Sequence, residues 1–349
     1  MKRFLFAAAV PLIASAAPAV PALAAQQQAV QHQMTKQNPP PVRTIPVGGD
    51  PIDIVLSQRQ SKAYVVNGGS VSVLSLTSHR QLAEVETGTS DQTAIGLVRC
   101  DSEAYIGTFD ENTLKILNTK TLKVTGTIKA GLGATDVVAA QTKRGEFAYV
   151  TLLTDSAVAV VNTSTNKLVT TIKLPEGPQT AETTPDNKEV WVGSSFSGEV
   201  WVVSTASQRI ARQIPVPDSG PISSIAFTPD GAEAWVFGAV GVSVIDVATD
   251  HLVGFLPITY LFPGTDALNA GPIEVTADGK YALIVNSTFP DVPMQGAVAV
   301  VDTDTLHRLQ VIDVGTEPTG LAIDNTRHTA YVTDYADDAV SYFSTPGGS

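Results

Sequence analysis

Cysteine is almost missing from this chain. Cys100 stands alone among 349 residues, so no internal disulfide can form even in an oxidising compartment. No histidine lies near it in sequence, so it lacks the base that a catalytic thiol needs. The chain has neither a haem-attachment cysteine pair nor a phosphate-binding glycine loop with lysine, and no cofactor motif is evident. Basic residues are outnumbered 22 to 34, for a formal charge of -12, and no Lys/Arg cluster interrupts the excess. Such a chain has no electrostatic footprint for nucleic acid or anionic lipid, and cations or basic partners suit it better. Past residue 24, no apolar run is long enough to span a bilayer.

The start of the chain reads as a secretory signal. Lys2 and Arg3 form a charged head, Phe4 to Ala14 an apolar middle, and Ala22-Leu23-Ala24 a small-residue cleavage site. Pro11, Pro18 and Pro21 argue against a membrane anchor. The expected protein is therefore periplasmic or secreted. Residues 25–41 are rich in Gln and Pro without a core face, and are expected to be a flexible lead-in.

What is abundant is a repeat. Ser75, Asn118, Asn162, Ser204, Asp246, Asp302 and Ser344 are small polar residues that each close a Val/Ile-rich run. In six copies Ser or Thr recurs three residues later, at Ser78, Thr121, Thr165, Ser207, Thr249 and Thr305. An aromatic precedes at Tyr64, Tyr105, Tyr149, Trp191, Trp235 and Tyr331, with Leu283 in the remaining copy. Most steps are 42 to 44 residues by subtraction, which fits one four-stranded blade per repeat. The expectation is an all-β, seven-bladed β-propeller over residues 42–345, with a tail at 346–349. Its last copy lacks a fourth strand, while Val42 to Val47 is an orphan strand resembling Leu309 to Val314. The N-terminal strand is expected to complete the last blade and remove the open edge.

Tyr149-Val-Thr151, Tyr331-Val-Thr-Asp334, Tyr64-Val-Val-Asn67 and Thr228-Pro-Asp-Gly231 resemble the signature of the YVTN-repeat propellers, lactonase-like or surface-layer-like. The resemblance implies that blade-to-blade connections and second-to-third strand loops share one face, the usual binding face. On that sorting His79, His251, His307 and His328 fall on the opposite face, leaving no general base or haem ligand at the mouth. The acids gather on the loop face instead. Asp50, Asp53, Asp91, Asp136 and Asp266 lie in or beside blade connections. Asp110, Glu111, Asp155, Glu199, Asp291, Asp334, Asp337 and Asp338 lie in second-to-third strand loops. Ca²⁺ or another divalent cation would suit such oxygen ligands, and Asp136 is the foremost candidate.

Blade 6 is long. Asp246 to Asp302 spans 56 residues by subtraction, and the excess carries Tyr260, Phe262, Phe289, Asp291 and Met294. Tyr260, Phe262, Phe289 and Met294 are expected to form an apolar lid over the mouth. The first functional expectation is a monomeric propeller binding a ligand or protein partner on the loop face, with no nucleic acid. The alternatives are a metal-assisted hydrolase or lactonase, and an accessory subunit of a periplasmic dehydrogenase.

Overall fold

Val, Ile and Thr are stiff at χ1 and pack well on a pleated surface, which is why the repeat folds as strands. The computed structural model describes residues 39–57, 59–88, 92–217, 219–263, 270–286 and 295–347. They form 28 strands in seven four-stranded antiparallel sheets. Each sheet is one blade. Blades 1 to 6 cover residues 53–86, 92–129, 134–173, 178–215, 222–257 and 270–316, and blade 7 covers 318–344. The leader and most of the lead-in lie outside the described residues. No helix among those described is long and apolar enough to cross a membrane.

The repeat's turn residues act as their spacing implies. The side-chain oxygen of Asn118 accepts the N–H of Thr121 at 2.8 Å, and Asn162, Asp246 and Asp302 bond Thr165, Thr249 and Thr305 in the same way. The next residue then takes a left-handed conformation, at His79, Leu122, Asn166, Gln208, Asp250 and Leu306. That tight turn returns the chain into the outer strand.

Closure is by the N-terminal strand. Arg43–Pro46 pairs antiparallel with Ala339–Ser344, placing Ile45 opposite Val340. The likeness to a fourth strand holds atom by atom. Gly48 donates its N–H to Ser72 Oγ at 3.0 Å, and Gly315, at the end of the true fourth strand of blade 6, donates to Ser341 Oγ at 3.3 Å.

The core is not central. Seven apolar clusters each lie between two neighbouring blades, so every blade is held by its two neighbours. The repeat's aromatics are anchors of this packing. Tyr64, Tyr105, Tyr149, Trp191, Trp235 and Tyr331 are all fully buried. Several tyrosine hydroxyls reach the following blade: Tyr105 bonds Asn166 Oδ1, and Tyr331 meets His79 Nδ1 at 3.2 Å. His79 is thereby a packing residue on the face opposite the loops, with its ring stacked 4.3 Å from that of Tyr342. Burial, with Arg43 and Arg327 nearby, lowers its pKa.

Candidate functional site: an acidic central channel

Inner strands run side by side around the axis and leave a channel of about 370 Å³. Each inner strand starts at the loop face, so earlier residues lie nearer that mouth. Pairing with the second strand of each blade sets the layers. Opposite the residue two past the aromatic stand Asp53, Ala94, Asp136, Thr180, Ser224 and Gly320. Opposite the aromatic itself, or Leu283, stand Val55, Gly96, Val138, Glu182, Ala226, Glu274 and Ala322. Two residues of strand separate the layers by roughly 7 Å. Thus Asp53 and Asp136 share the outer layer, and Glu182 and Glu274 the inner one.

The two layers differ in how their acids are satisfied. Asp136 accepts N–H bonds from Val137 (2.7 Å) and Ala181 (2.9 Å) and a hydroxyl bond from Thr180 (3.1 Å). Asp53 accepts the N–H groups of Ile54 (2.8 Å) and Ile95 (3.1 Å). Ala181 and Ile95 belong to the next blade, so both aspartates latch neighbouring inner strands together. Ser224 Oγ does the same for Ile273 N at 3.1 Å. In the inner layer, Glu182 accepts one bond, from its neighbour Thr183 N at 3.0 Å. Glu274 accepts none from the described residues.

Among the described residues no Lys, Arg or His lines the channel. The carboxyls therefore titrate against burial and one another. Burial pushes Asp136 up to about 7, with Asp53 adding to the rise and its donors opposing it. Burial and Asp53 push Glu274 up to about 7. Burial, then Glu274 and Asp136, hold Glu182 well above the usual carboxylate range. Burial also raises Asp53 against the pull of its two N–H donors. Together they can hold a positive charge or a set of protons. Among the described residues no three His, Cys, Asp or Glu side chains are grouped to hold a metal ion by themselves.

The other residues singled out from the sequence fall elsewhere. Asp91, Asp266, Phe289, Asp291 and Met294 lie outside the described residues. Asp334 ends a second strand rather than sitting in a loop, and is fully buried. Its Oδ2 accepts the Ser341 hydroxyl at 2.6 Å, its Oδ1 has no partner among the described residues, and burial raises its pKa to about 7. Asp337 closes a 3₁₀ turn, and its Oδ2 accepts the N–H of Thr316 at 2.6 Å. Tyr260 and Phe262 do not line the channel. The helical turn Ile258–Leu261 buries Ile258 and Leu261, and Phe262 joins them in the cluster between blades 5 and 6. Arg308 fixes this wedge, donating to the carbonyls of Tyr260 (2.7 Å) and Leu261 (3.0 Å). A lid of Tyr260 and Phe262 over the mouth does not match that placement.

Glu182 and Glu274 escape a loop-by-loop search because they sit mid-strand. Their signal is an acid in the register position opposite Trp191 and Leu283, where the other blades carry Val, Gly or Ala. On the loop face the sequence reading also passes over Phe196, which is 68% exposed. Beside it Glu176 accepts the Ser197 hydroxyl.

Fold and channel define a seven-bladed β-propeller with an acid-lined axis. Among solved structures the chain is similar to Kuenenia stuttgartiensis hydrazine synthase, with 17% identity, covering 85% of this chain and 96% of that one, at a TM-score of 0.75. At that identity the likeness is one of fold. No family model and no curated protein matches the chain.

Proposed function

We propose that this ring is a binding module whose ligand is a cation, or the cationic group of a larger ligand or protein partner, entering the channel from the loop face. One observation carries the reading: Glu182 and Glu274 line the channel half-buried, and among the described residues no cation lines it with them and a single hydrogen-bond donor serves the two. Charge drawn out of bulk water is costly unless it is paired or neutralised. The acidic balance of the chain supports the same sign of partner. The leader-like composition of residues 1–24 supports a role outside the cytoplasm, and the YVTN-like signature is compatible with it.

The test is calorimetric titration of the protein at pH 8 with calcium chloride, magnesium chloride and ethylammonium chloride, with melting curves alongside. Binding of at least one probe is expected, with a higher melting temperature. Both effects should vanish in the Glu182→Gln/Glu274→Gln double variant. No heat and no shift with any probe would overturn the reading. The hydrolase alternative rests on Asp136, whose oxygens are already engaged by Val137, Ala181 and Thr180. The exposed Phe196, beside Glu176, favours a protein partner as the carrier of the positive group.

A further inference from the structure

The inner layer poses a charge problem that the outer layer solves with backbone donors. Glu182 and Glu274 flank blade 5, whose contribution at that level is Ala226. The charged groups facing the channel are Asp53 from blade 1, Asp136 from blade 3, Glu182 from blade 4 and Glu274 from blade 6. Blades 2, 5 and 7 present only hydroxyl, aliphatic and glycine residues. All four charges are therefore negative, and Asp53, Asp136 and Glu274 each raise at least one other. Glu182 and Glu274 line this space half-buried, and from the described residues Glu182 accepts only the N–H of Thr183 and Glu274 accepts none. Like-charged carboxylates enclosed together do not all ionise without a counter-charge.

We propose that the channel exchanges protons for a cation at the Glu182–Glu274 layer. With the channel free of ligand, the inner layer keeps protons on its carboxyl oxygens. A cation entering from the loop face takes over their neutralising role, and each displaced O–H proton passes to solvent, at most one per positive charge accepted. Hard oxygen ligands and room for an ion with part of its water shell suit Ca²⁺. An alkylammonium group is the alternative of the same charge sign. The inference rests on the cation-binding reading above and adds its coupling to pH.

The experiment uses the full chain. Calcium chloride, and separately ethylammonium chloride, is titrated into the protein at pH 6, 7 and 8 in two buffers of different ionisation heat, which yields affinity and protons released together. At pH 7, one to two protons are expected to leave per Ca²⁺ bound, or up to one per ethylammonium. Affinity should rise at least tenfold from pH 6 to pH 8. Glu274→Gln should cut the release by half or more, with Glu182→Gln as the parallel variant and circular dichroism confirming the fold of each. Binding without proton release, or with an affinity that ignores pH, would overturn the exchange and leave the cation site standing. No binding of either probe would overturn both.

Discussion

The carboxylate of Asp136 accepts the backbone N–H of Ala181 at 2.9 Å, across the boundary between blades 3 and 4. Asp53 takes Ile95 N in the same way across blades 1 and 2. A carboxylate satisfied by backbone donors is part of the ring's bonding. A carboxylate without donors at the same axis is free for something else.

That contrast predicts stability changes of opposite sign. In Asp136→Asn an amide NH₂ replaces one acceptor oxygen and confronts an N–H donor. The variant should lose about 1–3 kcal/mol and melt at lower temperature. Glu274→Gln removes a half-buried charge without breaking a hydrogen bond to any described residue, so at pH 8 it should melt higher than the parent. Thermal melts of both variants at pH 8 check this. A fall in both would mean that Glu274, like Asp136, is a structural group.

The raised carboxyls also set the pH dependence. Asp136, Glu274 and Asp334 move from ordinary values near 4 up to about 7. Between those values the folded chain binds more protons than the unfolded one, so stability is lost as pH rises through the window from about 4 to about 7. The cation-free protein should melt several degrees lower at pH 8 than at pH 5. Calorimetry in the presence of chelator checks this, and Glu274→Gln should flatten the profile. A melting temperature rising steadily to pH 8 would contradict it.

Asp334 has a counterpart in blade 1. Asn67 fills the same place, and its Nδ2 donates to Ser72 Oγ at 2.9 Å where Asp334 Oδ2 accepts from Ser341. Asp334→Asn should recreate the Asn67 arrangement and hold or raise the melting temperature at pH 8. Asp334→Ala leaves Ser341 and Gly315 without that side chain and should cost about 1–3 kcal/mol. Equal losses in the two variants would show that the charge itself is needed.

Much of this was readable in the sequence, and the reason is range. The turn bond from Asn162 to Thr165 joins residues three apart, so spacing alone reveals it, and seven copies fix the blade count. The orphan strand at Val42 was legible because it repeats Leu309 to Val314. The channel was not legible in this way. A register shift between Ala134 and Asp136 carries Asp136 into the inner strand, and the pairing that places Glu182 opposite Trp191 also follows a bulge. Tyr260 and Phe262 looked like loop residues because nothing local shows that Ile258 and Leu261 turn inward and take Phe262 with them.

Arg212 ties blade 4 to blade 5. Its Nε lies 2.6 Å from Asp250 Oδ2 and its Nη2 2.9 Å from Glu189 Oε2, and the guanidinium sits 5.9 Å from the Trp191 ring. Lysine supplies the charge without the planar fork. Arg212→Lys should cost about 1 kcal/mol, and the loss should shrink in 0.5 M salt because all three charged groups are partly exposed. Melting curves at low and high salt check both points, and a loss independent of salt would assign it to packing on Trp191.

Ring closure gives the sharpest test of the fold. Ile45 is only 2% exposed and packs with Ile54, Ala322, Tyr331 and Val340, so it joins blade 7 to blade 1 as well as to its own sheet. Ile45→Ala should cost about 2–5 kcal/mol. Arg43→Ala, at an exposed site two residues earlier, should cost little. Removing the chain up to Val47 would leave Ala339–Ser344 as an open edge beside Tyr342 and Phe343, and an unpaired apolar edge invites pairing with another chain. That truncation should melt well below the parent and aggregate as it does so. An unchanged melting temperature would mean that the blade-to-blade clusters hold the ring shut without the strand.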